Sequence, residues 1–86
     1  MNDLSPEVKI MIVNGQALVD KVREVAKEKH LDLDLTCRFQ IRDDCKAVET
    51  NIKMIRKGKK LEKYIKELDL SIIRLKTTAE MLLDLK

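Results

Sequence analysis

Two cysteines, a single histidine and two adjacent aspartates are the residues of this 86-residue chain whose types could do covalent or acid–base work. Cys37 and Cys45 both fall on apolar positions, and no base stands at a spacing that would activate either thiol, so they read as small buried hydrophobes. If they share a helix, their α-carbons are about 12 Å apart, too far for a disulfide. His30 stands alone, no Cys or His cluster has metal-ligand spacing, and neither zinc nor any other cofactor is expected. Asp43 and Asp44 resemble paired carboxylates, but near a helix start they are explained by the positive end of the helix dipole. Gly15 lacks the further glycines, the Lys and the Ser/Thr of a phosphate-binding loop. An enzyme is therefore not expected.

Charge is the uneven feature. Lys53, Arg56, Lys57, Lys59, Lys60, Lys63 and Lys66 share one 14-residue stretch with Glu62 alone, a local net of +6 in a chain whose total is +3. Arg38, Arg42 and Lys46 precede them at i, i+4 and i+8, on one side of a helix. Such cations can neutralise phosphates. A solvated turn whose lysines serve a helix C-terminus is the competing explanation. No side chain here points to base readout, so binding would be through the phosphate backbone and its shape.

The elements that must position these residues are helical in the second half. Leu61, Ile65, Leu68, Ile72, Leu75, Ala79 and Leu82 alternate spacings of four and three, a heptad stripe that predicts a helix over 60–85. Ile41, Cys45, Val48, Ile52 and Ile55 predict another over 36–57, ended by Arg56, Lys57 and Gly58. The Ile41–Ile55 stripe, continued, would need apolar residues at 59 and 62, where Lys59 and Glu62 stand. The seam restarts at Leu61, about 200° out of phase at 100° per residue, so Gly58 is read as the reversal of a helical hairpin. Leu70, Ile73 and Met81 lie off the stripe, as do Leu83 and Leu85, which gives this helix more apolar surface than one seam covers. Leu70, Ile73 and Met81 are the candidate oligomer interface.

Two readings stand for the first 41 residues. Ser5 as N-cap, Pro6 at the first helical position and the stripe Val8, Met11, Gly15, Leu18, Val22, Val25 predict a helix ending near Lys29. Against this, Val8–Val13 is rich in β-branched residues and runs into Asn14-Gly15. Leu31, Leu33, Leu35, Cys37, Phe39 and Ile41 also alternate with polar residues as a strand would. The mixed reading, strands at 8–13 and 31–41 around a helix from Gln16 to His30, resembles the opening unit of sugar phosphotransferase IIB components. In those a phosphorylated Cys follows the first strand; Asn14 occupies that place here.

Size and composition bound the remainder. A chain of 10.0 kDa forms one small domain over residues 1–86, buries only about 60–65% of its unfolded surface and benefits from self-association. Aromatics are 2% of residues, Phe39 and Tyr64, which excludes an aromatic stacking platform for single strands. There is neither a basic N-terminal region ahead of the Ile10–Val13 apolar run nor any run long enough to span a bilayer, so a cytoplasmic protein without membrane contact is expected.

From Arg38 onward, the order Arg-Phe, a helix with Ile41, Cys45, Val48, Ile52 and Ile55, a short basic turn, then LEKYIKELDLSIIRLKTTAEMLLDL is similar to helices two and three of a four-helix-bundle family. That family comprises the accessory variability determinant proteins of diversity-generating retroelements and proteins encoded in 23S rRNA intervening sequences. The resemblance spans residues 38–86 and implies a basic oligomer that associates with RNA or DNA, or with a nucleic-acid-handling protein. Arg42 and Asp43 stand where that family usually has a Gly shortly after Arg-Phe, and the third helix is the last. No functional residue carries over by motif. The expectation is thus an all-α bundle of three helices with a hairpin at Gly58, the alternative being α+β with a βαβ start. Its expected role is to bind nucleic acid through the hairpin tip, or else to pair with a partner protein through its last helix.

Overall fold

The computed structural model describes residues 4–85; Met1–Asp3 and Lys86, the extreme ends of the expected 1–86 domain, lie outside the described residues. Three helices of 23 residues each follow one another: α1 (Pro6–Glu28), α2 (Leu35–Lys57) and α3 (Leu61–Leu83), with one turn of 3₁₀ helix at His30–Asp32 between the first two. The fold is all-α, and no strand occurs among the described residues.

Local chemistry sets each boundary. Ser5 Oγ accepts from the Val8 N–H at 3.3 Å, Pro6 fills the first turn, and the β-branched run Val8–Val13 is helical, with Val8 and Ile12 in the core, Met11 half-buried and Ile10 and Val13 exposed. The strand expected there as an alternative is overturned. So is the strand at 31–41. Asp34 caps α2 by accepting from the Cys37 N–H at 2.8 Å, so the alternating residues are divided among a 3₁₀ turn, a cap and the first turns of a helix. That backbone hydrogen bond also holds the Asp34 carboxyl below its ordinary range. Successive alternate residues in a helix fall about 200° apart, and accordingly Leu33 and Ile41 are buried while Leu31, Leu35 and Phe39 are exposed.

Gly58 is the hairpin residue. It ends α2 at φ 76°, donating its N–H to Ile55 O at 2.9 Å, and only Lys59 and Lys60 separate it from α3. Lys60 is the N-cap of α3 and is itself left-handed, at φ 48°, ψ 52°, with no side-chain cap on the first turn of α3. At the far end the left-handed Asp84 terminates α3, and Lys29 Nζ donates to Leu83 O at 2.9 Å, tying the end of α1 to the end of α3. The chain therefore runs up, down and up: α2 is antiparallel to both neighbours, α1 and α3 are parallel, and every pair of helices is in contact.

The core is aliphatic. Val19, Val22, Cys45, Val48, Ile52, Ile55, Leu68, Leu75 and Leu83 are fully enclosed. The expected seam of α2 is the observed one. In α1 the buried positions include Ile12 and Val19, while Met11 and Leu18 of the expected stripe are half-buried; in α3 Leu83 replaces Leu82. In both helices the apolar residues cover a broader arc than one seam, and the positions nearest its centre are the ones enclosed. Leu18 faces the α3 side, lining a groove with Ala79 and Leu85.

Asp43 and Asp44 do not lie at a helix start. They sit in the third turn of α2, where Asp43 is exposed and Asp44 is 4% exposed among apolar neighbours. Thr78 Oγ1 of α3 donates to Asp44 Oδ2, and Gln40 Nε2 donates to both carboxylate oxygens, at 3.1 and 3.0 Å. Asp44→Ala is expected to cost about 1–3 kcal/mol, because the Thr78 hydroxyl is left without its acceptor. The double replacement Asp44→Leu with Thr78→Val should recover much of that loss, since both polar partners are removed together. Urea unfolding midpoints of the two variants check this; equal losses would mean the pair contributes only volume.

Candidate nucleic-acid interface

The hairpin gathers the tip cations at one end of a molecule measuring 44 × 20 × 16 Å. Lys53, Arg56 and Lys57 come from the last two turns of α2, Lys59 and Lys60 from the reversal, and Lys63 and Lys66 from the first two turns of α3. All seven are exposed, and none makes a salt bridge within the described residues. Lys63 Nζ lies 5.2 Å from the ring centroid of the half-buried Tyr64, which orients this ammonium at the start of α3.

Arg38, Arg42 and Lys46 are not part of the tip. At 1.5 Å per residue, Arg38 stands about 28 Å along α2 from Lys57. At 100° per residue, however, Arg38, Arg42, Lys46, Lys53, Arg56 and Lys57 all fall within an arc of about 100° on one side of α2. The cations thus form a stripe ending in a cluster. The three upper residues differ in kind. Arg38 is half-buried with Nη1 2.9 Å from Nε2 of His30, Arg42 lies 4.9 Å over the Phe39 ring with Asp43 3.7 Å from its Nε, and Lys46 is exposed.

Glu49 would interrupt this stripe were it free. It accepts two hydrogen bonds from Arg23 of α1, one of them at 2.7 Å from Nη1 to Oε2, and that bonding holds its carboxyl below the ordinary range while raising Arg23. The pair removes the one acid centred on the basic face of α2, a role invisible in the spacing of α2 alone.

Neither thiol is poised for chemistry. Burial pushes Cys45 up to about 11, and the neighbouring Asp34 raises Cys37. Cys45 is buried as expected, whereas Cys37 is only half-buried, because it lies in the first turn of α2, beyond the full cover of α1. Among the described residues no three His, Cys, Asp or Glu side chains converge as metal ligands would.

Leu70, Ile73 and Met81 are 54%, 53% and 77% exposed on the side of α3 turned away from both other helices. With Thr77 they repeat at intervals of three and four, an outward apolar stripe parallel to the buried one. Among the described residues no helix is long and apolar enough to cross a membrane. No family model, curated protein or solved structure matches the chain.

Proposed function

We propose that this bundle binds nucleic acid, or a nucleoprotein partner, through the cations of the hairpin tip. The observation that carries this reading is the tip itself: seven exposed cations converge from two helix ends and the turn between them, without salt-bridging acids among the described residues. The basic side of α2 supports it by extending the charge along the rod, as contacts to successive phosphates need. Recognition is of the phosphate backbone rather than base edges, since the tip offers lysines and one arginine and no aromatic platform. A cytoplasmic, membrane-free setting belongs to the same proposal. So does the relation of residues 38–86 to the retroelement and 23S intervening-sequence proteins, which leads to the same kind of basic assembly. Mobility shifts against duplex DNA, duplex RNA and single strands, at several salt concentrations, test it. Absence of any shift at about 0.15 M salt would end it.

Self-association through α3 is the second component of the proposal, and the outward Leu70, Ile73, Met81 stripe favours it. It is also the surface through which a partner helix would pair if the tip lysines served only solubility. Replacing Leu70 and Ile73 together by Glu is expected to lower the mass measured by light scattering to that of one chain while the helical circular dichroism persists. An unchanged mass would mean the stripe is simply exposed.

A further inference from the structure

At the end of the bundle away from the tip, a cavity of about 340 Å³ opens between the last turns of α1 and the first turns of α2. Ala26, Ile41 and Cys45 form its apolar floor. Arg23, Lys27, Arg38 and Arg42 surround it, together with His30, and among the described residues no carboxylate, amide or hydroxyl side chain lines it. Its size is at the low end for small-molecule sites.

The surrounding cations are not equivalent. Arg23 is satisfied by Glu49, and Arg42 has Asp43 beside it, whereas Lys27 and Arg38 have no carboxylate partner among the described residues. Arg38 is held in place by its bond to His30; because a guanidinium only donates, His30 Nε2 is the acceptor. Arg38 Nε is enclosed and bonded to nothing among the described residues. That nitrogen is closed to a ligand as it is to solvent, so Arg38 offers an anion in the cavity only its Nη groups.

We infer that this cavity binds a small amphipathic organic anion, a carboxylate or phosphate monoester carried on a compact apolar body. Arg38 and Lys27 hold the anionic group at the mouth, and the body rests on Ala26, Ile41 and Cys45. A cation is excluded by the like charge around the opening. A nucleobase fits poorly, because no side-chain oxygen is present to accept from its amino groups. The site shares Arg38 and Arg42 with the basic side of α2 but stands apart from the tip, whose lysines lie at the other end of that helix.

The test is a titration followed through the methyl resonances of Ala26 and Ile41, with hexanoate, phenyl phosphate, inorganic phosphate and hexylammonium as probes. Hexanoate or phenyl phosphate is expected to shift both methyls saturably, with a Kd on the order of 1 mM or tighter, and the tighter of the two assigns the headgroup. Hexylammonium should leave both methyls unmoved. Arg38→Gln should weaken binding about tenfold or more. Ala26→Leu, which fills the cavity without removing a charge, should abolish binding as read at Ile41, and serves if Arg38→Gln fails to fold. A protein with Lys57, Lys59, Lys60 and Lys63 reversed to Glu should bind the probes unchanged, which separates this site from the tip. No saturable shift with either organic anion overturns the inference. So does equal binding of hexylammonium or of inorganic phosphate, or unaltered affinity in a folded Arg38→Gln or Ala26→Leu variant.

Discussion

Reversal of Lys57, Lys59, Lys60 and Lys63 to Glu is expected to abolish nucleic-acid binding and to leave the fold intact. The four residues are exposed, none has a salt-bridge partner to lose among the described residues, and none contributes to the core. For the unaltered protein, each duplex phosphate neutralised contributes about −0.9 to the slope of log affinity against log salt. Four contacts per chain give a slope near −4, equivalent to about a hundredfold loss between 50 and 200 mM salt. Several chains of an assembly engaging one nucleic acid would multiply that slope. Mobility shifts across a salt series, with circular dichroism of the variant, supply both readouts. Weak binding that survives the reversal, or a slope near zero, would move the function to the outward face of α3.

A second large effect is expected at Gly15, a buried position where α1 packs tightly against both other helices. A β-carbon there would stand 3.1 Å from Ile72 Cδ1 and 3.3 Å from Val48 Cγ1, tighter than ordinary van der Waals contact on two sides. Gly15→Ala adds only that carbon, and the end of the Ile72 side chain can yield a few tenths of an ångström. The roughly 1 kcal/mol gain in helix propensity then offsets the crowding. Gly15→Leu has no such escape. Its branched end must enter space held by Val48 and Ile72, and a loss of about 3 kcal/mol is expected. In a domain of this size each kcal/mol lowers the thermal midpoint by about 4–8 °C, so a fall of roughly 12–24 °C should be seen. A Leu variant melting with the wild type would show that α1 is not seated against α2 and α3 at this residue.

Much of the fold was legible in the sequence because the second half obeys one rule throughout. Ile41, Cys45, Val48, Ile52 and Ile55 sit where their spacing puts them, and the phase break between that stripe and Leu61 marked the reversal that left-handed Gly58 makes. The first half was ambiguous for a physical reason. Alternation from Leu31 to Ile41 is a strand signal only if one extended segment carries it, and the Asp34 cap divides it instead. Leu31, Leu35 and Phe39 are large apolar residues left in solvent, which no periodicity rule anticipates. Asp44 was assigned to the helix dipole rather than to the core because a search for apolar stripes passes over polar residues. Its signal was nevertheless present: Asp44 lies three residues after Ile41 and four before Val48, and Thr78 lies three after Leu75, so each breaks a core seam with a group that needs a partner. In the candidate site, the clustering at the tip followed from the hairpin. The pairing of Glu49 with Arg23, and the cavity behind Arg38, depend on α1 packing beside α2, which the spacing within either helix does not encode.

The up, down and up order of three helices has an electrical consequence. Two antiparallel helices nearly cancel each other's macrodipoles, but an odd third helix has no counterpart. The N-terminal ends of α1 and α3 and the C-terminal end of α2 share the tip end of the rod, leaving about half a positive elementary charge there and an equal negative one at the opposite end. The polarity of the backbone therefore has the same sign as the lysines, and it comes from peptide units that no side-chain substitution removes. Within about a Debye length of the tip, the backbone therefore adds to the pull of the lysines on a polyanion, and added salt weakens that contribution.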